Sequence, residues 1–117
     1  MVVRVLVIDD SAPLRQRLAL RLAEHGHLVI GEADTASAAL AAAMLLRPDA
    51  NVADVLLRDR HRLELVVALR AAMPSALLVI LTNAVSYREH CLAMGADKFF
   101  DKSAAFDSVA AQLARVG

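Results

Sequence analysis

Five side chains in this sequence could share one piece of chemistry: Asp9, Asp10, Asp54, Thr82 and Lys102. Three carboxylates brought together repel one another and raise each other's pKa. A hard divalent cation relieves that repulsion. Magnesium prefers oxygen ligands, keeps several waters, and is commonly bound by one or two carboxylates plus phosphate oxygens. A carboxylate can also act as a nucleophile and form an aspartyl phosphate. Phosphoryl transfer then requires mainly positioning and charge stabilisation. In that scheme the metal and Lys102 neutralise phosphoryl oxygens, and Thr82 hydrogen-bonds one of them. Taken singly, each residue has a plainer explanation: Asp9 and Asp10 a turn, Asp54 a solvated loop charge, Thr82 a helix cap, Lys102 a surface lysine. The case for a shared site rests on the elements that carry them.

Residues 2–8 form a β-branched, nearly all-apolar run ending at Asp9, the pattern of a strand buried on both faces of a parallel sheet. Ser11 and Pro13 mark a helix start, Leu14, Leu18 and Leu22 form one apolar stripe, and Gly26 ends the helix. A second short strand is predicted over 28–31. Asp34, Thr35 and Ser37 offer caps for an alanine-rich helix to about Leu46. Residues 50–54 read as a third strand, weak because of Asn51 and its alanines. A helix follows over 63–72, with Leu65, Val66 and Leu69 inward. Residues 77–81 are the strongest strand, ending at Thr82. A helix over 86–94 is closed by Gly95, Phe99 and Phe100 form the last strand, and Ser103 can cap a final helix.

Strand and helix alternate five times, which implies parallel strands, right-handed crossovers and helices on both faces. The expected fold is α/β: a flavodoxin-like, doubly wound five-stranded parallel sheet of order 2-1-3-4-5 with five helices on two faces. In such sheets ligands bind outside the carboxyl ends of the strands. Asp9, Asp10, Asp54, Thr82 and Lys102 all stand at predicted strand ends, and this conjunction singles them out.

Composition bounds the alternatives. The 117 residues suit one domain, taken here as residues 1–117 with no output domain. Thirteen basic and 13 acidic residues give a formal net charge of zero, without the basic excess of a chain that grips nucleic acid by its phosphates. The longest apolar run, 38–46, is too short to span a bilayer, which takes roughly 20 helical residues. Asp9 and Asp10 interrupt the N-terminal apolar stretch, so it does not read as a signal peptide. The single cysteine, Cys91, forms no internal disulfide, in keeping with a reducing cytoplasm. The four histidines show no metal-ligand spacing with it.

Together these residues closely resemble the receiver domain of bacterial two-component response regulators. Val5-Leu6-Val7-Ile8-Asp9-Asp10-Ser11 is similar to that family's first strand and acidic pair. Pro48-Asp49, Asp54 and Leu63-Glu64-Leu65 resemble the stretch around its phosphoacceptor. Residues 77–82 resemble its fourth strand with the switch threonine, and Gly95-Ala96-Asp97-Lys98-Phe99-Phe100-Asp101-Lys102 its last strand with the lysine. The resemblance implies that Asp54 accepts the phosphoryl group. It implies that Asp9, Asp10, Asp54 and the backbone carbonyl of Leu56 hold Mg2+ or Mn2+, and that Thr82 and Lys102 contact the phosphoryl group. Thr82 and Phe99 take the switch positions. The implied protein is cytoplasmic and signals in a phosphorelay. It promotes only its own phosphorylation and dephosphorylation. Its implied partners are a sensor histidine kinase or histidine phosphotransfer protein and a downstream protein, with neither nucleic acid nor membrane contacted directly. The expected state is a monomer or a phosphorylation-dependent dimer.

Two departures from the family pattern concern one loop. Arg58 stands where the family usually has proline, and Arg62 where it usually has glycine. These departures leave an alternative, a pseudo-receiver interaction module that is not phosphorylated. A haloacid-dehalogenase-type phosphatase is disfavoured, because Asp9-Asp10-Ser11 does not supply Asp-x-Asp. A shifted third strand would promote Asp59 in place of Asp54. Asp59 lies only four residues before Leu63, too close for the family's loop, whereas Asp54 lies nine before.

Overall fold

Alternation along the strands decides which side chains meet. In β1 (Arg4–Ile8), Val5 and Val7 point to one face of the sheet and Leu6 and Ile8 to the other, as the period of two requires. The computed structural model describes residues 2–59 and 62–114, the side chains of Arg62, Ala105 and Ala114 excepted. The first face packs on α1 (Ala12–Glu24) and on α6 (Val109–Ala114), through Leu18, Leu22, Val109 and Leu113. The second packs on α2 (Ala36–Leu46) and α3 (Arg62–Ala72), through Ala36, Ala39, Ala43, Leu65 and Leu69. Each fully buried valine or leucine contributes roughly 1.5–3 kcal/mol relative to exposure.

The remaining strands are β2 (Leu28–Ala33), β3 (Ala50–Ala53), β4 (Leu77–Thr82) and β5 (Lys98–Asp101). All pairings are parallel and the order is β2-β1-β3-β4-β5, as expected. The third strand is short but central, held between β1 and β4, and its small residues are all buried. β2 runs two residues past its predicted end. Its register on β1 steps from Val29 to Gly31, so Ile30 is bulged out. A Cβ on Gly31 would stand 2.8 Å from Leu46 Cδ1, so a larger residue here would require the Leu46 side chain to shift.

Two helices differ from expectation. The segment predicted as one helix over 86–94 is a 3-10 turn, Val85–Tyr87, followed by the short α4 (Arg88–Ala93). The last helix is also divided, into α5 (Lys102–Ala105), a 3-10 turn Phe106–Ser108, and α6, which makes six α-helices rather than five among the described residues. Tighter 3-10 winding keeps Phe106 buried beneath the Arg17 guanidinium, 4.5 Å from its ring, while Asp107 accepts a hydrogen bond from Arg21 Nε at 3.1 Å. Ser103 is not the cap of α5. Asp101 is, because its Oδ1 accepts from Ser103 N at 3.0 Å and from Ser103 Oγ at 2.7 Å. Among the described residues no helix is long and apolar enough to cross a membrane.

Candidate functional site

Strand register builds the site. Ile8 of β1 lies opposite Ala53 of β3, so the next residues, Asp9 and Asp54, emerge side by side at the carboxyl edge. Backbone bonds fix both: Asp54 N donates to Ile8 O at 2.9 Å, and Asp9 N to Ala33 O at 3.0 Å. β4 pairs with β3 on the far side, Ile80 opposite Ala53, which brings Thr82 to the same edge. Thr82 Oγ1 donates to Asp54 Oδ1 at 2.6 Å. Asp101 of β5 lies opposite Thr82, and from the next position Lys102 reaches back across the sheet edge. Its Nζ donates to Asp54 Oδ2 at 2.5 Å and to Asp9 Oδ2 at 2.6 Å.

The cluster is enclosed: Asp9, Asp54, Thr82 and Lys102 are 6%, 5%, 0% and 9% exposed. At that burial an unpaired charge is expensive, so each member depends on the others. Burial disfavours the charge on Lys102, but its hydrogen bonds to Asp54 and Asp9 and their negative charge outweigh that, and its pKa lies above the ordinary lysine value. The second oxygens are also used. Asp54 Oδ1 accepts from Leu56 N at 2.9 Å, and Asp9 Oδ1 from Ser11 N at 2.9 Å.

Asp10 is exposed and stands apart from this cluster. Among the described residues no three carboxylate, imidazole or thiol groups stand together as a metal would need them. The donor chemistry nevertheless fits a hard divalent ion. Two carboxylates already converge on one cationic centre, the Lys102 ammonium, and every candidate donor is oxygen. Asp9, Asp54 and the Leu56 carbonyl would hold such an ion, once Lys102 yields one carboxylate oxygen.

Phe99 is buried among residues that include Ile80, Cys91 and Ala96. The Arg88 guanidinium lies 5.6 Å from its ring centroid, and Arg88 Nη1 donates to Phe99 O at 3.2 Å. Thr82 Oγ1 also accepts from Ala84 N at 3.2 Å, which ties the site to the segment leading into α4. Cys91 is fully buried and burial pushes its thiol pKa up, as suits a small core residue.

Sequence reasoning missed three residues. Neither Arg88 nor Arg15 stands out in the sequence, yet Arg15 Nη1 donates to Asp9 O at 2.5 Å and its Nε to Glu32 Oε1 at 3.0 Å. Asp59, set aside as a phosphoacceptor, binds the first turn of α2. No local pattern signals such contacts, because their partners lie 6 to 23 residues away. Arg58 Nη2 turns to Asp34 Oδ2 at 3.5 Å. Arg60 and His61 lie outside the described residues, and only the backbone of Arg62 is described.

The family model of the response regulator receiver domain matches residues 5–114. The chain belongs to that family. A probable transcriptional regulatory protein of Mycobacterium tuberculosis, TcrX, is 34% identical to this receiver domain over 113 residues, 95% of this chain and 48% of the relative. The chain spans about half the length of these curated relatives. These relatives are regulators, several of them of transcription, so the expectation that nucleic acid plays no direct part gains no support from them. Among solved structures, the Vibrio cholerae chemotaxis protein CheY4 superimposes with a TM-score of 0.84 at 27% identity, covering 100% of both chains. A Burkholderia pseudomallei response regulator, solved with a phosphorylated aspartic acid, calcium ion and citrate, gives 0.80 at 25% identity, covering 94% of this chain and 69% of that one.

Proposed function

We propose that this receiver domain accepts one phosphoryl group on Asp54, with Mg2+ or Mn2+ bound, from a sensor histidine kinase or a histidine phosphotransfer protein. The observation that carries the reading is the convergence of Thr82 and Lys102 on the two oxygens of one buried carboxylate at a strand end. The phosphorylated aspartic acid and calcium ion in the Burkholderia regulator support it.

Asp54 acts as the nucleophile: one carboxylate oxygen bonds to phosphorus as the donor's leaving group departs. A bound divalent ion supplies charge neutralisation for the phosphoryl oxygens. Lys102 exchanges its bond to Asp54 for one to a phosphoryl oxygen and keeps Asp9. The Thr82 hydroxyl turns from Asp54 Oδ1 toward the phosphoryl group, which pulls on Ala84 through their shared bond. Phe99 then moves into the space that Thr82 leaves, and the surface of α4, β5 and the divided last helix, α5 and α6, changes for a downstream protein. The domain works in the cytoplasm as a monomer or a phosphorylation-dependent dimer, and promotes only its own phosphorylation and dephosphorylation.

Intact-mass analysis after incubation with acetyl phosphate and magnesium tests this. One added phosphoryl mass is expected, absent in Asp54→Asn and retained in Asp59→Asn. Mass added to Asp54→Asn, or none added to the parent chain, overturns the assignment.

A further inference from the structure

The loop after Asp54 lacks both turn residues of the family pattern, yet it must hold its shape for the Leu56 carbonyl to stand beside Asp54. An exposed segment with ordinary backbone freedom is held by tertiary contacts or not at all. Here the contacts are specific. Asp59 Oδ1 accepts from Ala36 N at 2.8 Å and Asp59 Oδ2 from Ser37 N at 3.1 Å. Thr35 Oγ1 accepts from Ala38 N at 3.1 Å. The first three N–H groups of α2 are therefore satisfied by side chains, two of them by a residue more than twenty positions away. A carboxylate suits that position because the helix start carries partial positive charge. The hydrogen bonds from Ala36 and Ser37 hold the Asp59 carboxyl below its usual range. The Arg58–Asp34 pair joins the same two loops at a second point.

We infer that Asp59 is a positioning residue: it fastens the loop that follows Asp54 to the first turn of α2, in place of the family's proline and glycine, and so sets where the Leu56 carbonyl stands. This rests on the reading of Leu56 as a metal ligand, and deepens it. α2 is thereby coupled to the metal site through one carboxylate.

The test compares two ways of uncapping the same helix. Magnesium affinity is measured by calorimetric titration, and amide exchange at Leu56 by NMR, in the parent chain, Asp59→Ala, Asp59→Asn and Thr35→Ala. Asp59→Ala is expected to weaken magnesium binding on the order of tenfold, the size of effect seen when a ligand loses its support, and to speed exchange at Leu56. Asp59→Asn keeps one acceptor oxygen and should fall between. Thr35→Ala should lower the melting temperature yet leave magnesium affinity and Leu56 exchange at parental values. Parental affinity in Asp59→Ala overturns the inference. So does equal weakening in Thr35→Ala, which would assign the effect to α2 itself. If the parent chain takes up no magnesium, the metal reading falls and Leu56 exchange alone decides: faster in Asp59→Ala than in Thr35→Ala supports the fastening, equal rates overturn it.

Discussion

Asp54 and Asp59 lie five residues apart and are held in opposite ways. Asp54 is buried, and besides the backbone N–H of Leu56 its carboxylate accepts from side chains at two other strand ends, Thr82 and Lys102. Asp59 is exposed, and its partners are backbone N–H groups of α2. The first carboxylate is fixed by an arrangement that a cation or phosphoryl group can displace. The second is fixed by the backbone N–H groups of a helix start. One loop thus joins the proposed phosphoacceptor to an anchored end, and the difference lies in burial and partner type rather than residue type.

The sharpest way to break the comparison is to remove the charge between Asp9 and Asp54. Lys102→Met leaves two buried carboxylates without their counter-ion, and a loss of about 3–5 kcal/mol is expected in urea unfolding. Adding Asp54→Asn should recover part of that loss. A loss below about 1 kcal/mol, the scale of an exposed pair, would mean that the site is wetter and more open than its burial indicates. The Lys102 pKa is raised on folding. Its stabilisation is therefore complete below the unfolded-state lysine value and is lost as pH rises through the higher folded value.

A smaller effect is expected three residues before Asp54, within β3. Asn51 is buried and its Oδ1 has no partner among the described residues, while its neighbours in register are Leu6 and Leu78. An unmade buried hydrogen bond costs about 1–3 kcal/mol. Asn51→Val is expected to stabilise the fold by about 1 kcal/mol without altering phosphorylation. Destabilisation in the same urea assay would reveal a polar partner for Asn51. Buried polarity in β3 would then be sustained, at this position as at Asp54, by partners from other strands.

The smallest effect sits at the anchored end. Because folding lowers the Asp59 pKa, its contribution is present above the unfolded-state carboxylate value and lost as pH falls through the lower folded one. A carbon-13 NMR titration should place the Asp59 midpoint below the reference value of 3.8. A midpoint at or above that value would show that the bonds to Ala36 and Ser37 do not persist in solution.

Much of this was legible in the chain itself. Alternation of apolar strands with capped helices specifies the five parallel strands and their order, because two-sided burial and right-handed crossovers leave few other topologies. The same pattern puts Asp9, Asp54, Thr82 and Lys102 at strand ends. The divided last helix and the cap at Asp101 were not legible. Ser103 and Asp101 are both good caps, and the choice follows from where β5 ends. Only the tertiary structure placed the Lys102 ammonium between two carboxylates, left Asp10 in solvent, laid Arg88 over Phe99 and sent Asp59 to α2. Periodicity is a local property and repeats along the chain. A side chain's partner is settled by distances between elements far apart in sequence, which come into being only when the sheet and its helices pack.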